Sequence, residues 1–197
     1  MEQSREKNGK MTRRLIESTS LALAALLVAG AAALAAKLDG VPVRNTGHYA
    51  IFETDRGKIV IELYPNVAPK TAANFETLIR KGFYNGLTFH RVVAGFVVQG
   101  GDPKGDGTGG PGYVLPAEIS PVEKHLRGTI AMARTGDEVN PQRKSSGSQF
   151  YICLEPQPSL DNQYTTFGGV VEGMDVVDKI RKGDHIVKAS LASELPK

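Results

Sequence analysis

From His48 onward the chain is cut into short apolar runs by glycines, prolines and charged turns, and this punctuation decides what it can fold into. Residues 48–54 (HYAIFET) and 58–64 (KIVIELY) read as strands joined by an Asp55-Arg56-Gly57 turn, with Ile59, Ile61 and Leu63 on one face. Pro65 ends the second run. Pro69 suits the first position of a helix, where an N–H is not needed. Residues 70–81 then carry apolar side chains at Ala72, Phe75, Leu78 and Ile79 before Gly82 closes the helix. Residues 88–98 are strand-like, with a bulge expected at Gly95, and residues 100–112 form a glycine-rich loop. Further strands are expected at 129–133, 149–154, 166–171 and 186–191, with a second short helix over 175–182. The 22 glycines, 11 prolines and absence of tryptophan fit many short strands better than a helix bundle. A closed β-barrel with helices at its ends would leave no strand edge exposed.

The N-terminal part has a different composition. Residues 1–14 hold five basic residues (Arg5, Lys7, Lys10, Arg13, Arg14) against Glu2 and Glu6, and no charge occurs from Ser18 to Ala36. A basic stretch, an apolar stretch and the small residues Ala33, Ala35 and Ala36 follow one another as in a secretory signal. The same uncharged length could also just span a bilayer as a helix. We therefore expect a signal peptide or membrane anchor over 1–36, a linker over 37–47 with Gly40, Pro42 and Gly47, and a folded domain over 48–197. The basic end would stay cytoplasmic. The domain would be exported to a periplasm, cell envelope or lumen, tethered there if the segment is kept. Residues 37–197 carry 19 basic and 18 acidic residues, so nothing electrostatic calls for nucleic acid. Cys153 is the sole cysteine, so no internal disulfide forms; its apolar surroundings (FYICL) suit a buried small hydrophobe.

Several patterns point to other chemistries and do not carry them. Residues 105–110 (GDGTGG) match G-x-G-x-x-G, yet Pro111-Gly112 follows instead of the helix that a dinucleotide site requires. The histidines at 48, 90, 125 and 185 are scattered without metal-ligand spacing. Ser145, Ser146 and Ser148 lie in a Gly/Ser turn, where conformation explains them. No metal or cofactor is expected.

Residues 89–102 (FHRVVAGFVVQGGD), 107–110 (GTGG), 148–152 (SQFYI), 167–168 (FG) and 170–177 (VVEGMDVV) occur in an order and spacing that closely resemble the cyclophilins. The resemblance covers roughly 48–191. It implies an eight-stranded antiparallel β-barrel, closed and capped by two α-helices, acting on X–Pro bonds without metal or cofactor. It implies that Arg91 is the catalytic residue. It further implies a substrate pocket formed by Phe96, Gln99, Met132, Ala133, Arg134, Gln149, Tyr151, Leu160 and Tyr164. The chain departs from the family pattern at Val97 (often methionine), Arg134 (often asparagine), Tyr151 (commonly phenylalanine), Ser159 (usually an aromatic rim residue) and Tyr164 (in place of a histidine, as in many bacterial-type members). The segment 137–146 is also longer than in compact relatives. Without the Ser159 ring, only weak binding of a cyclosporin-type inhibitor is expected.

These residue types suit the chemistry. Amide resonance sets a rotation barrier of roughly 18–20 kcal/mol, so an X–Pro bond turns over in tens of seconds or more unaided. In the twisted state the proline nitrogen regains a lone pair, and a donor aimed there favours the transition state over the planar ground state. Arginine supplies a permanently charged, rigid fork of donors. The expected partners are proline-containing polypeptides, newly exported or unfolded, met by a monomer. A proline-directed binding or chaperone module with little catalysis is the alternative.

Overall fold

Strand alternation sets the two faces of the sheet in the computed structural model, which describes residues 40–196. The segment 1–36 and the start of the expected linker therefore lie outside the described residues. Strand β1 (Tyr49–Thr54) is followed by β2 (Gly57–Leu63), in which Ile59, Ile61 and Leu63 point into the main core. The other strands are β3 (Arg91–Val93), β4 (Val97–Gly100), β5 (Val114–Leu115), β6 (Thr129–Met132), β7 (Ser145–Ser146), β8 (Phe150–Cys153), β9 (Thr166–Glu172) and β10 (Ile186–Ala192). Eight of them form one antiparallel sheet in the order β10-β1-β2-β9-β6-β8-β4-β3. The pair β5 and β7 is a separate ribbon that no apolar run announced.

A closed barrel was expected; the ladder is not closed. The end strands β10 and β3 share no register. The curled sheet is joined across the seam ahead of β3 and at the start of β10, by a single bridge between Thr88 and His185 and by bonds from Phe89 N to Asp184 O (2.8 Å) and Ile186 N to Leu87 O (2.8 Å). The approach to β3 is spent in turns: Asn85 N bonds Gly82 O and Leu87 N bonds Tyr84 O, so little extended chain is left to pair.

Helix α1 (Pro69–Arg80) starts at its proline and buries Thr71, Ala72, Phe75, Leu78 and Ile79 on one stripe. No side chain of its own caps it. The Glu118 carboxylate does so from a distant loop, accepting from Lys70 N (3.0 Å), Thr71 N (2.8 Å) and the Thr71 hydroxyl (2.7 Å). Phe75 then meets Phe52, Tyr84, Phe150 and Phe167 at ring separations of 5.0–6.1 Å, which makes it the hub between helix and sheet. The second helix, α2 (Met174–Val177), is shorter than the expected 175–182. The Asp184 carboxylate takes the Arg181 N–H at 2.7 Å and the Arg56 guanidinium, drawing the backbone out of the helical pattern.

Residues 40–47, expected as linker, lie within the compact unit Gly40–Lys197. The buried Glu62 carboxylate accepts the N–H groups of Arg44 (2.7 Å) and Thr46 (2.6 Å), and the Arg44 guanidinium covers the Tyr64 ring at 3.9 Å.

Replacing Phe75 by Ala removes contacts with four buried rings, and unfolding free energy should fall by about 3–5 kcal/mol. Denaturant midpoints at unchanged slope would register the loss; a drop under about 1 kcal/mol would show that the hub collapses around the cavity.

Candidate active site

The pocket is built on a hairpin. Residues 88–98 were read as one strand with a bulge at Gly95, but β3 and β4 are two strands folded back on each other. Gly95 adopts φ +66°, and the Phe96 N–H bonds Val93 O at 3.0 Å to close the loop. The resulting register sets Arg91 opposite Gln99 and Val93 opposite Val97. In turn β4 pairs with β8, which sets Gln99 opposite Tyr151 and Val97 opposite Cys153.

These pairings raise a second apolar cluster on the sheet face away from the main core. It contains Val97, Ala131, Ala133, Tyr151 and Cys153, with Phe96, Leu160 and Tyr164 packed against it. A hollow of about 200 Å³ opens here, lined by Arg91, Phe96, Val97, Gln99, Ala133, Arg134, Tyr151, Leu160 and Tyr164. Eight of the ten residues inferred from the resemblance are therefore brought together. Gln149 sits directly behind Gln99 and acts on the hollow through it. Met132 is the exception: it is 1% exposed and belongs to the main core. Period-two alternation along β6 explains this, since Ala131 and Ala133 belong to the second cluster and Met132 between them must then face the main core. Val97 lines the hollow instead. The alternation Val97-Val98-Gln99 signals it, because Gln99 and Val97 share a face.

Arg91 is oriented by a relay of amides. Asp102 is buried and gathers the glycine-rich loop, its carboxylate accepting from the N–H groups of Lys104 (2.8 Å), Asp106 (3.1 Å) and Gly107. Burial works to raise this carboxyl, but the N–H groups of Lys104, Gly107 and Gly109 win and hold it below the usual carboxylate range. A Cβ at Gly109 would collide with that carboxylate, so only glycine fits there. Gathered this way, the loop presents the carbonyls of Gly107 and Gly109, and the Gln149 amide NH₂ donates to both (3.0 and 2.8 Å). Gln149 Oε1 must then face Gln99, accepting from its NH₂ at 3.1 Å, and Gln99 Oε1 is left to face Arg91 Nη1 at 3.4 Å. The guanidinium lies 5.6 Å from the Phe96 ring centre.

The opposite wall is held from beneath and beside. The Arg134 side chain is 5% exposed; its guanidinium lies 4.6 Å from the Tyr164 ring centre and bonds Gln163 O, Thr135 O and Asp137. Asp137, on the longer segment, also pairs Arg143 at 2.9 Å, so this segment braces the rim; the two guanidinium groups, Arg134 foremost, lower its carboxyl. A 3₁₀ turn (Pro158–Leu160) carries Leu160 into the hollow and leaves Ser159 exposed. Behind Tyr151 lies His125, whose Nε2 is 2.9 Å from the Tyr151 hydroxyl and whose Nδ1 is 3.1 Å from Asp161 Oδ1. The scattered histidines gave no sequence signal for this contact. Burial drives the His125 imidazole below its ordinary value against the pull of Asp161, raises the Tyr151 hydroxyl and pushes the Cys153 thiol up to about 12. His90, buried on the reverse side of Arg91, has neither ring nitrogen bonded and is likewise lowered by burial. Among the described residues no three His, Cys, Asp or Glu side chains converge as metal ligands would.

Residues 49–194 match the family described as "Cyclophilin type peptidyl-prolyl cis-trans isomerase/CLD". A Synechococcus elongatus protein named peptidyl-prolyl cis-trans isomerase is 49% identical over 147 residues, covering 74% of this chain and 97% of the relative. The crystal structure of a Cryptosporidium parvum cyclophilin type peptidyl-prolyl cis-trans isomerase superposes with a TM-score of 0.68 at 29% identity, covering 75% of this chain and 99% of the other. A structure of the same enzyme in the presence of the dipeptide Ala-Pro gives 0.62 at 29% identity, covering 74% of this chain and 96% of the other.

The two buried histidines fix a pH dependence. Below about pH 6.5 the unfolded chain protonates imidazoles that the fold keeps neutral, so it binds more protons than the native state and stability falls with falling pH. Unfolding free energy measured between about pH 7 and 5 should decline, and His90→Phe should flatten part of that slope; an unchanged slope in a folded variant would remove His90 from the account.

Proposed function

The chain belongs to the cyclophilin-type peptidyl-prolyl cis-trans isomerases, and on that premise we propose that the hollow beside Arg91 is where an X–Pro bond is seated and twisted. One observation carries the assignment: a guanidinium held by Gln99 stands at the mouth of a hollow whose walls are Phe96, Val97, Ala133, Tyr151 and Leu160. At about 200 Å³ the hollow is smaller than pockets for drug-sized ligands, which run to about 300–1,000 Å³, and suits one compact side chain. The prolyl ring fills the apolar slot. Rotation about the C–N bond then brings the pyramidal proline nitrogen, with its lone pair, toward the Arg91 N–H groups. Planar ground state and twisted state share the slot, but only the twisted state has a lone pair to offer, so the donor acts on the barrier. No nucleophile is consumed and no proton leaves the substrate. Gln99 Oε1 holds the guanidinium in place, and behind it the amide relay keeps Gln99 from turning over.

The substrates under this proposal are proline-containing stretches of exported or unfolded polypeptides, whose folding the domain assists. The basic-then-apolar composition of residues 1–36 supports that location. A second reading, a proline-directed binding module with little catalysis, draws on the open rim at Ser159 and on an Arg91 guanidinium whose hydrogen bond to Gln99 is long at 3.4 Å.

Isomerisation of a short X–Pro peptide separates the two. Arg91→Ala should lower kcat/KM by about 100-fold or more while peptide affinity changes little, and Arg91→Lys should not restore it, because an ammonium lacks the planar fork. Peptide binding by the unmutated chain with no acceleration would establish the second reading. The rim makes its own prediction: Ser159→Trp should tighten a cyclosporin-type inhibitor by about tenfold, worth about 1.4 kcal/mol by calorimetry, and an unchanged affinity would show that the rim at 159 does not limit binding.

A further inference from the structure

Every polar atom in the chain of contacts behind the hollow has one assignment. A carboxylate only accepts, so His125 Nδ1, 3.1 Å from Asp161 Oδ1, carries the proton. The Nε2 of that neutral ring then accepts, and the Tyr151 hydroxyl at 2.9 Å donates to it. The His125 backbone is bound to the same turn: its N–H donates to Asp161 Oδ1 at 2.8 Å, and its carbonyl accepts the Gln157 N–H at 2.7 Å. Leu160 N in turn bonds Gln157 O at 3.0 Å, so the turn bearing Leu160 is fastened to His125 at both ends. The imidazole is parallel to the Tyr151 ring within 14° at 6.0 Å, and Tyr164 stands edge-on to both. With its side chain 1% exposed, His125 does not itself line the hollow.

We infer that His125 is a positioning residue that sets the width of the prolyl slot, holding the Tyr151 floor and the Leu160 wall at a fixed separation through the Tyr151–His125–Asp161 hydrogen bonds. The inference rests on reading the hollow as the isomerase site and adds the part that fixes its dimensions. It also gives the tyrosine a reason: phenylalanine at 151 would leave a buried imidazole nitrogen without a partner. The two residues are therefore coupled, and changing either should release the same constraint.

The test uses the full chain. Tyr151→Phe, which keeps the ring and removes the hydroxyl, should lower kcat/KM for an X–Pro peptide by about three- to tenfold. The loss should fall mainly on KM, because the slot grips the prolyl ring in ground and transition states alike. His125→Leu should lose at least as much, whereas His125→Gln, able to donate to Asp161 and accept from Tyr151, should recover part of it. The double variant Tyr151→Phe/His125→Leu should be no worse than the poorer single. Nitrogen-15 spectra of the histidines should show His125 protonated at Nδ1, with an Nε2 resonance that moves when Ala-Pro is added and ceases to respond in Tyr151→Phe. Should His125→Leu not fold, Tyr151→Phe and the spectra still decide. An Nε2-protonated ring, or unchanged KM in folded Tyr151→Phe, would overturn the inference. A chain that binds peptide without accelerating rotation would overturn the catalytic reading alone, since dissociation constants then replace KM in the comparison; one that binds no proline peptide would overturn both.

Discussion

A buried carboxylate fixes the geometry of the whole polar side of the site. Asp102 would be costly to enclose alone, and the glycine-rich loop offsets that cost by wrapping its N–H groups around it. The wrapping decides where the loop's carbonyls point. The carbonyls decide which way the Gln149 amide turns, Gln149 decides Gln99, and Gln99 presents an acceptor to Arg91. Each link passes on one bit of orientation, because an amide has a donor end and an acceptor end. A flexible surface arginine loses conformational freedom when it is held, and here the expense falls on groups already ordered by the fold. The glycine pattern that resembled a nucleotide motif is thus an anion cradle whose anion is the protein's own aspartate.

The apolar side depends on a sheet with two buried faces. Strands β6 and β8 are buried along their whole lengths. One face packs Ile130, Met132, Phe150 and Ile152 into the main core, while the other, with Ala133 just past β6, puts Ala131, Tyr151 and Cys153 into the second cluster, of which Ala133 and Tyr151 line the hollow. A strand buried on both faces is held from both sides. The slot floor therefore shares the stability of the core instead of the mobility of a loop, and the small residues Ala131 and Ala133 leave room where larger side chains would fill it.

Much of this was legible in the sequence, and the exceptions have physical causes. Helix α1, β1, β2 and the strands near 129, 150, 166 and 186 follow from periodicity and punctuation, because their faces differ in burial. The hairpin at Gly95 did not, since a three-residue loop between two short strands has the composition of one bulged strand; only the pairing of Arg91 with Gln99 tells them apart. The open seam between β3 and β10 depends on turns that compete with the ladder, a balance that local propensity does not express. Met132 is assigned to the pocket through the resemblance, although alternation sets it and Ala133 on opposite faces of the strand. The fastening of residues 40–47 to Glu62 was hidden because Pro42 and Gly47 look the same in a free tether as in a docked segment. Most distant from the sequence is the contact between His125 and Tyr151, 26 positions apart, which exists only once β8 and the loop before β6 are side by side.

The ionisable groups around the slot bear on which kind of reaction it can serve. Burial raises the Tyr151 hydroxyl and drives Cys153 to about 12, while it lowers His125, and the His125 contacts draw Asp161 down despite burial. All four move away from neutrality. General acid–base catalysis needs the opposite, a group tuned toward the working pH. Groups shifted in these directions suit a reaction whose only electronic change is the loss and recovery of amide resonance. There, constant electrostatics and constant width are both advantages, and the His125 chain supplies the second through the same burial that enforces the first.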